Sequence, residues 1–505
     1  MTKLLPAVLL ALPILSACAQ TPDATQAAPE AAAPLDASQL AAALDDLLAT
    51  HETAKRTYVT LVVHDLATGD TLYNRGGDKL LTPASNLKIY TAATAIDLLG
   101  PDYRWTTKLI AHGQRDNGFE RVTLVTSGDP MLSNDQLDEL MMSAAEAAPE
   151  IETWRRVDAL EIYRNPSWDD VPRKGPGWMW DDDPDYYNMS IAWPMLDFNV
   201  IDFVADAQTD WRAGDAPAVG PGVSSIFYEG KLGPAGSENT FEVGREAFSD
   251  VYFTRGSMPR DAEPMTFRVA AWDPDQWMLD SLVYSAAGAA SWFSKSLNEG
   301  NTRFVDRDEE SASPLAEVSN GLPKAGQHFL RVSENAVGEM LLLHLAEKFD
   351  EEGEVSWPSG AKVISDWLIN EAGVEEGSFR LVDGSGLSRY NLISANSSIQ
   401  LLDHMDDHEH FEVFFDGLPV YDVALPEAEK WNGVPMAEFD RQRVFAKPGG
   451  MSGVNTISGY LDTLDGRRLA FSLLANGYIG SNAPVRDLRG EVWSTLVRYR
   501  AESTR

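Results

Sequence analysis

The stretch LTPASNLKIYTAATAIDLLG, residues 81–100, places a serine and a lysine three residues apart at the start of an apolar segment. Thr82 is predicted to cap a helix there, and Pro83 suits the first helical turn. Positions i and i+3 share one face of a helix, so Ser85 and Lys88 would lie side by side. Burial of a lysine lowers its pKa, and the neutral amine could then take a proton from a nearby hydroxyl.

A second interpretation of this pair needs no catalysis. Ser85 could cap the helix, and Lys88 could extend its ammonium group into solvent. The same spacing recurs at Ser359 and Lys362, and short patterns of this kind match by chance. The rest of the chain has to distinguish the two interpretations.

The composition is that of a large and strongly acidic globular chain. Its 505 residues are 44% hydrophobic, and 77 acidic side chains against 41 basic ones give a net charge of −36. This length supports a large core and two to four domains. Because so negative a surface repels phosphate groups, we expect no nucleic-acid partner.

The N-terminus predicts export. Residues 1–18, MTKLLPAVLLALPILSAC, combine the basic Lys3 with an apolar run too short to span a bilayer comfortably, as in a secretory signal. The run ends in Leu-Ser-Ala before Cys18, which resembles the bacterial lipoprotein box and implies acylation of this cysteine. An ordinary signal with an incidental cysteine is the alternative. Cys18 is the only cysteine in the chain, so no internal disulfide can form.

Lipidation would also determine where the protein resides. More than one acyl chain anchors a protein stably, and Ala19 after the cysteine resembles the outer-membrane address of Gram-negative lipoproteins. The resemblance therefore implies a periplasmic protein that is lipid-anchored to the outer membrane. Residues 19–38 are rich in Ala and Pro and nearly free of large apolar side chains, so they are predicted to form a flexible tether.

Changes in residue pattern divide the remaining chain into three parts. Residues 39–111 and 273–505 contain the longer helical and hairpin patterns. Residues 112–272 are crowded with Gly, Pro, aromatic and acidic residues in short alternating runs, which predict a mainly β insertion. The predicted elements outside the insertion are helices near 39–50, 83–99, 275–296, 335–348 and 483–500, and hairpins within 57–74 and 443–477.

The chain gives little support to a histidine-based mechanism. None of its eight histidines has a persuasive context. His404, His408 and His410 lie in an acidic run that could hold a metal by composition, but it lacks a fixed ligand spacing and is predicted to be a solvated face. We therefore expect no metal and no organic cofactor.

A serine–lysine mechanism fits better. Lysine-based acyl-serine enzymes carry Ser-x-x-Lys, Ser-x-Asn and Lys-Thr-Gly in this order. Ser-x-Asn occurs at several positions, and Ser333-Glu334-Asn335 is predicted to open an amphipathic helix. A serine that simply caps this helix is the alternative. The third piece is imperfect, because Pro448 follows Lys447 where a Thr is expected.

Taken together, these pieces resemble the penicillin-binding D-Ala-D-Ala carboxypeptidase/endopeptidase family of the penicillin-binding protein 4 type. The resemblance covers residues 40–500 and rests on TPASNLKIYTAATAIDLLGPDYRWTTKL, GPGWMWDD, SENAVGEM, DGSGLSRYNLISA and KPGGMSGVNTISGYL. The long gap between Ser85 and Ser333 agrees with this family, which inserts extra domains between its first two motifs. The segment DGSGLSRYN is implied to be structural, shaping the rim behind the cleft.

The resemblance implies a fold as well. It is α/β (α+β), a penicillin-binding transpeptidase or β-lactamase-like domain in which an antiparallel sheet is flanked by helices. The mainly β inserted region at 112–272 would interrupt this domain, so residues 39–111 and 273–505 would be its first and second parts.

The resemblance also implies roles for catalytic residues. Ser85 would attack a D-Ala carbonyl, and Lys88 would act as its general base. Ser333 and Asn335 would assist proton transfer to the leaving amine and orient the substrate. Lys447 would help to keep the neighbouring lysine neutral, since a nearby like charge lowers the pKa of an amine.

Two further groups of residues follow from the resemblance. The backbone N–H groups of Ser85 and Gly450 would form the oxyanion hole. Trp178, Asp181 and Tyr186 match positions that in some relatives embrace a diaminopimelate side chain, and a carboxylate between two aromatic rings suits a distal ammonium. Core aromatic residues beside surface acids are the alternative.

The third motif departs from the family pattern. The family's Thr hydroxyl helps to bind the terminal carboxylate of the substrate, whereas Pro448 has no hydroxyl and Gly450 lacks one found in several relatives. Pro448 and Gly449 remain predicted substrate contacts. Loss of one hydrogen bond to a charge costs about 1.5–3 kcal/mol, or roughly ten- to a hundredfold in affinity. This predicts weak carboxypeptidase activity, altered substrate choice or a degenerate enzyme.

The function implied by the sequence is that of an envelope-facing serine DD-peptidase. It would trim or cleave peptidoglycan stem peptides through an acyl-serine intermediate, and β-lactams would inhibit it. Two alternatives stay open: a catalytically degenerate peptidoglycan-binding lipoprotein on the same fold, and an esterase or β-lactamase-like acyl-serine hydrolase.

Overall fold

A computed structural model describes most of the chain after the predicted signal. The predicted signal peptide at 1–18, with Cys18, and most of the predicted tether at 19–38 lie outside the described residues. Among the described residues, no helix is both long enough and apolar enough to cross a membrane. The described ranges are 33–115, 118–147, 156–208, 223, 225–289, 302–306, 313–425, 430–431, 434–435 and 438–501.

Helices are distributed along the whole described chain. The α-helices are α1 (Ala37–Thr50), α2 (Glu52–Arg56), α3 (Lys88–Leu99), α4 (Asn134–Ala147), α5 (Pro274–Ala289), α6 (Leu322–Arg331), α7 (Asn335–Phe349), α8 (Trp357–Asn370), α9 (Ala395–Asp406), α10 (Phe411–Gly417) and α11 (Ala483–Leu496). Short 3₁₀ helices span Ala84–Leu87, Pro166–Trp168, Trp180–Asp182, Tyr186–Asn188 and Asp197–Asn199.

The strands fall into one large sheet, one of intermediate size and several small ones. They are β1 (Tyr58–Asp65), β2 (Asp70–Arg75), β3 (Arg104–Arg115), β4 (Gly118–Thr126), β5 (Arg156–Tyr163), β6 (Val200–Ala205), β7 (Ser225–Tyr228), β8 (Lys231–Gly233), β9 (Glu242–Arg245), β10 (Val251–Arg255), β11 (Ser257–Pro259), β12 (Met265–Ala270), β13 (Thr302–Val305), β14 (Ala316–Gly321), β15 (Phe379–Arg380), β16 (Leu392–Ile393), β17 (Val420–Asp422), β18 (Lys430–Trp431), β19 (Val434–Pro435), β20 (Gln442–Met451), β21 (Val454–Asp462) and β22 (Arg468–Asn476).

The large sheet is antiparallel and has the strand order β17-β20-β21-β22-β1-β2. Its central strands are apolar on both faces because both faces are covered. On β22, Phe471 and Leu473 pack with the terminal helices α1 and α11, whereas Ala470 and Leu474 pack with α3 and α7–α9. The result is a sheet flanked by helices, which is the architecture predicted for the main domain.

A second sheet lies between the first and the later motifs in the sequence. Its order is β13-β5-β4-β3-β14, and helices α4 and α5 share its apolar core. The chain enters through β3 and returns through β14, which pair from Arg104 with Gly321 to Leu109 with Ala316. The sequence-based boundaries at 112 and 272 therefore fall inside β3 and before α5. We propose that the inserted unit runs from Arg104 to Gly321.

The segment around Ser85 differs in detail from the predicted helix. A 3₁₀ turn, Ala84–Leu87, precedes α3, so the regular helix starts only at Lys88. Thr82 does not cap it, because Pro83 and Leu87 occupy the cap positions of the turn and of α3. The backbone N–H and C=O of Thr82 pair instead with the side-chain amide of Asn476 on β22. Helix α3 is buried from Lys88 to Ile96, since it passes between the sheet and helices α6–α8.

Candidate active site

Elements from distant parts of the sequence converge on Ser85. Lys88 is the first residue of α3, Asn335 is the first residue of α7, and Lys447 lies on β20. The Nζ atom of Lys88 lies 3.0 Å from Oγ of Ser85 and 2.7 Å from Oδ1 of Asn335. The structure thus joins the first two predicted motifs by direct contacts, at a lysine that has no exposed surface.

Lys88 is held by three oxygen atoms. Besides Ser85 and Asn335, the backbone carbonyl of Ser385 accepts from Nζ at 2.8 Å. Burial is the largest influence and lowers the pKa of Lys88, while the negative charges of Glu339, Asp383 and Glu334 oppose it. A lysine that loses its proton readily, within hydrogen-bond distance of a serine hydroxyl, has the geometry of a general base.

The chance repeat of the motif has a different environment. Ser359 lies in the first turn of α8, where it takes part in a capping box with Ser356. Lys362 is exposed and pairs with Asp366 at the surface. Here the non-catalytic interpretation of Ser-x-x-Lys is correct, and the difference from the first motif lies in burial.

Ser333 and Asn335 have distinct positions in the second motif. Asn335 donates from Nδ2 to the carbonyl of Tyr187 at 2.9 Å and accepts from Lys88, so both ends of its amide are engaged. Glu334, not Ser333, occupies the cap position of α7. Ser333 has a left-handed φ of 69° and lines the open cleft next to Ser85. The alternative of a simple capping serine is therefore wrong here.

Lys447 is the first residue of the third motif and lies on β20. Its side chain is buried, and within the described residues its Nζ has no hydrogen-bond or ion-pair partner. Burial first, and then the charge of Lys88, hold the pKa of Lys447 well below its usual range. Its carbonyl accepts from Nδ2 of Asn86 at 2.7 Å, and Ser458 donates to the amide oxygen of Asn86. Asn86 thereby connects the 3₁₀ turn that carries Ser85, called the serine turn below, to β20 and β21. The sequence analysis missed this role.

The strand that carries Pro448 has an open edge at this point. On its outer side β20 pairs with β17 up to Phe445, and the Ala446 N–H donates to the carbonyl of Pro419; Pro448 lies beyond these bonds, as proline in a strand requires. Gly449 packs against the serine turn, and a Cβ there would lie 2.3 Å from the carbonyl oxygen of Pro83. Gly450 is exposed and faces open space at the cleft.

A cleft of about 430 Å³ lies over Ser85, within the size range of small-molecule sites. Tyr186 lines it as predicted, whereas Trp178 and Asp181 do not. The indole N–H of Trp178 instead donates to Asp383 at 3.1 Å behind the cleft. Asp182, next along the chain, lines the cleft. The cleft residues are Ala84, Ser85, Met179, Asp182, Tyr186, Tyr187, Arg268, Val332, Ser333, Glu334, Asn335, Gly386, Leu387, Arg389, Gly450, Met451 and Ser452.

Two arginines bring positive charge to this cleft. The guanidinium of Arg268 stacks 4.7 Å from the ring centre of Tyr186 and lies 3.4 Å from the buried carboxylate of Glu334. Arg389 donates to the backbone carbonyl of Ser452 at 3.3 Å. Together with Asp182, they give the rim both signs of charge, which suits a substrate that carries both a carboxylate and an ammonium.

The acidic run with three histidines forms no metal cluster in the described part of the chain. His408 instead pairs with Asp97 on α3 at 3.0 Å, and the indole N–H of Trp367 donates to the other oxygen of the same carboxylate. These contacts connect α8 and the segment between α9 and α10 to α3, and the residues do not line the cleft.

Comparison with known proteins gives consistent matches over nearly the whole chain. A profile of the D-Ala-D-Ala carboxypeptidase 3 (S13) family matches residues 40–495. A D-alanyl-D-alanine carboxypeptidase from Actinomadura sp. is 30% identical over 443 residues, which cover 83% of this chain and 78% of the relative. The D-alanyl-D-alanine carboxypeptidase DacB from Haemophilus influenzae is 20% identical over 463 residues, which cover 89% of this chain and 93% of the relative.

A solved structure gives the same result for the fold. The crystal structure of penicillin-binding protein 4 from Haemophilus influenzae aligns with a TM-score of 0.69 at 19% identity, over 90% of this chain and 99% of that chain. The fold class predicted from the sequence is therefore confirmed.

Proposed function

The chain belongs to the D-Ala-D-Ala carboxypeptidase 3 (S13) family and is a serine-type carboxypeptidase; we propose that Ser85 is its nucleophile and peptidoglycan stem peptides its substrates. The observation that carries this proposal is the 3.0 Å contact between Nζ of Lys88 and Oγ of Ser85. The lysine is fully buried, so its neutral form is accessible, and the serine faces the cleft.

The reaction would proceed in two stages. Oγ of Ser85 attacks the carbonyl carbon of a D-Ala residue while Lys88 takes the hydroxyl proton. The backbone N–H groups of Ser85 and Gly450 stabilise the resulting oxyanion, each contributing about 3–4 kcal/mol in the transition state. The C–N bond then breaks, and the proton passes through Ser333 to the leaving amine. Water hydrolyses the acyl-serine in the second stage.

Asn335 and Lys447 would support these steps without reacting. Asn335 fixes the position of Lys88 and is itself fixed by the carbonyl of Tyr187. Lys447 lies close enough to Lys88 for a positive charge on one amine to disfavour a positive charge on the other. Tyr186 and Asp182 on the rim, with Pro448 and Gly449 at the strand edge, would contact the substrate. Trp178 would act indirectly, through its hydrogen bond to Asp383 behind the cleft, and Asp181 would take no part in binding.

The test of this proposal is intact mass after incubation with benzylpenicillin. The penicillin-binding protein 4 of Haemophilus influenzae has also been solved in complex with a β-lactam, so a β-lactam is the natural probe. We expect a one-equivalent adduct on the wild type and none on Ser85→Ala. Ser359→Ala, in the chance repeat of the motif, is the matched control and should form the adduct.

A non-catalytic peptidoglycan-binding protein is the second candidate, and Pro448 is the observation that favours it. The nucleophile, the base and the oxyanion donors do not use the missing Thr hydroxyl, so acylation should persist while carboxylate recognition weakens. No adduct on correctly folded wild type would contradict the catalytic proposal and support the second candidate. Rapid turnover of a chromogenic cephalosporin would indicate a β-lactamase-like hydrolase instead.

We also propose a periplasmic location with a lipid anchor at Cys18, directed to the outer membrane. The support is the sequence of residues 1–18 followed by Ala19. Metabolic labelling with a radioactive fatty acid and membrane fractionation test it. Label and outer-membrane recovery should both be lost in Cys18→Ala, while unchanged fractionation of this variant would contradict the anchor.

A further inference from the structure

Two buried carboxyl groups lie close to Lys88 and have no task in the steps above. Glu339 is on α7, one turn after Asn335, and Asp383 precedes the loop that carries Ser385. Both side chains are fully buried. A buried carboxylate is strongly unfavourable unless its oxygen atoms are bonded or paired with charge, so their location requires an explanation.

The hydrogen bonds of these two groups bear on their protonation state. Oε2 of Glu339 accepts from the N–H of Gly384 at 2.7 Å, and Oε1 accepts from the N–H of Ser385 at 3.0 Å. Two N–H donors, one to each oxygen, favour the carboxylate form, while burial and then the charge of Asp383 raise the pKa of Glu339 to about 8. The carboxylate oxygens of Asp383 likewise accept hydrogen bonds from four N–H groups. These belong to the backbone of Gly386 and Ser388, the side-chain amide of Asn391 and the indole of Trp178.

We propose that Glu339 is a positioning residue for the general base: its carboxylate fixes the Gly384–Ser385 backbone, so that the Ser385 carbonyl holds Nζ of Lys88 beside Ser85. The inference rests on the proposed function, in which Lys88 activates Ser85. Ser385 is the link, because its N–H donates to Glu339 and its carbonyl accepts from Lys88 at 2.8 Å.

The loop that transmits this contact cannot easily move elsewhere. A Cβ on Gly384 would lie 2.1 Å from the carbonyl oxygen of Gly338 on α7. Gly386 has a φ of +86°, and a Cβ there would lie 2.0 Å from the carbonyl oxygen of Ala84 in the serine turn. The loop is therefore wedged between α7 and the nucleophile segment, and a displaced Ser385 would also displace Lys88.

The charge of Glu339 has a second, measurable effect. Several ionisable groups surround Lys88. They are Glu339 on α7, Glu334 at the cap of α7, Asp383 before the loop and Lys447 on β20. The Phe329 ring of α6 lies 5.6 Å from Nζ of Lys88. The three acidic groups favour the ammonium form, whereas burial disfavours it. Removal of the Glu339 charge should therefore let Lys88 lose its proton at a lower pH.

The test is the pH dependence of the benzylpenicillin acylation rate, measured on the full chain. The rate should rise with pH to a plateau as Lys88 loses its proton, and we call this rise the acidic limb of the profile. In Glu339→Gln, we expect the acidic limb to move down by about one pH unit. The plateau rate should fall about tenfold, because the amide cannot accept both N–H bonds and the base is misplaced. In Glu339→Asp, the charge remains, so the limb should stay in place while the plateau falls. Glu347→Gln, on the same helix but bonded to His344 and Asn165, is the matched control and should match the wild type.

The outcomes separate this inference from the proposed function. A wild type that forms no adduct contradicts the proposed function itself. A wild type that is acylated, with an unmoved acidic limb in Glu339→Gln, overturns the inference, because a purely structural role lowers the rate or the melting temperature without moving the limb. If Glu339→Gln does not fold, Glu339→Asp decides: a lower plateau with an unmoved limb supports the inference, and a wild-type plateau overturns it.

Discussion

The floor and the rim of the catalytic cleft are built on different principles. On the floor, Lys88, Asn335 and Glu339 are buried, and each is held by at least two hydrogen bonds to α-helical or loop partners. On the rim, Tyr186 is 41% exposed and Gly450 faces open space. The floor belongs to the sheet-and-helix domain, while the rim takes Tyr186 and Arg268 from the inserted unit.

This difference separates the chemistry from the choice of substrate. A base that is desolvated and bonded on several sides keeps its geometry whatever occupies the cleft, which is the preorganisation that catalysis requires. The rim can vary without disturbing that geometry. Pro448 lies at the boundary, since it changes the strand edge but leaves the hydrogen bonds beneath it intact.

The largest expected effect is on the floor, at the base itself. Lys88→Met should slow acylation by benzylpenicillin about a thousandfold, because it removes the proton acceptor and leaves the Asn335 and Ser385 oxygens without their donor. Quenched-flow mass spectrometry measures the rate. Lys362→Met, in the chance repeat of the motif, is the control and should react at the wild-type rate. A loss of less than tenfold in Lys88→Met would contradict its role as the base.

The next effect concerns the group that holds the base. Asn335→Ala should slow acylation roughly a hundredfold, since Lys88 loses one of its three oxygen contacts and its orientation toward Ser85. Asn335→Asp should instead place a negative charge next to the ammonium, raise the pKa of Lys88 and move the acidic limb of the rate profile to higher pH. An Asn335→Asp profile that shifts to lower pH would refute this account of the floor.

At the boundary between floor and rim, we expect a gain. Pro448→Thr should raise kcat/KM for hydrolysis of a D-Ala-D-Ala peptide about tenfold or more, because a hydroxyl becomes available to the terminal carboxylate. Acylation by benzylpenicillin at saturating concentration provides the internal control and should change less than about threefold. Equal gains in both reactions would show that Pro448 affects the floor as well.

The smallest effect is expected on the rim, where two neighbouring acids can be compared. Asp182→Asn should raise KM a few-fold for a peptide with a distal ammonium, because Asp182 lines the cleft. Asp181→Asn should leave KM unchanged, since its exposed side chain does not line the cleft. Steady-state kinetics on peptides with and without the ammonium tests the pair. The reverse pattern would restore the sequence-based assignment of Asp181.

Parts of the fold and of the site follow from local pattern. The helices near 335–348 and 483–500 are found at Asn335–Phe349 and Ala483–Leu496. The first is an apolar run that is buried on all sides from Asn335 to Ala346, and the second has a proline in its first turn. The i to i+3 spacing brings Ser85 and Lys88 together even though the turn between them is 3₁₀ and the α-helix starts one turn late. Both helical forms place i and i+3 on nearly the same side.

Other parts depend on contacts that no local pattern encodes. Thr82 is not a cap, and its backbone N–H and C=O pair with the side-chain amide of Asn476, far along the chain. The boundary that we propose for the inserted unit differs from the sequence-based one, because β3 pairs with β14. Trp178 does not line the cleft, because its indole N–H donates to Asp383 behind it. In each case, a partner hundreds of residues away or on another element replaces the local choice.

The sequence by itself determined the order of the three motifs, the residue types that can attack, accept a proton and carry charge, and the alternation of helix and strand around them. Only the tertiary structure decided which serine–lysine pair is buried, and burial is what distinguishes Lys88 from Lys362. It also decided that Glu339 and Asn86 support the site. The physical reason is that desolvation and hydrogen bonding at the cleft depend on elements that meet only when the chain is folded.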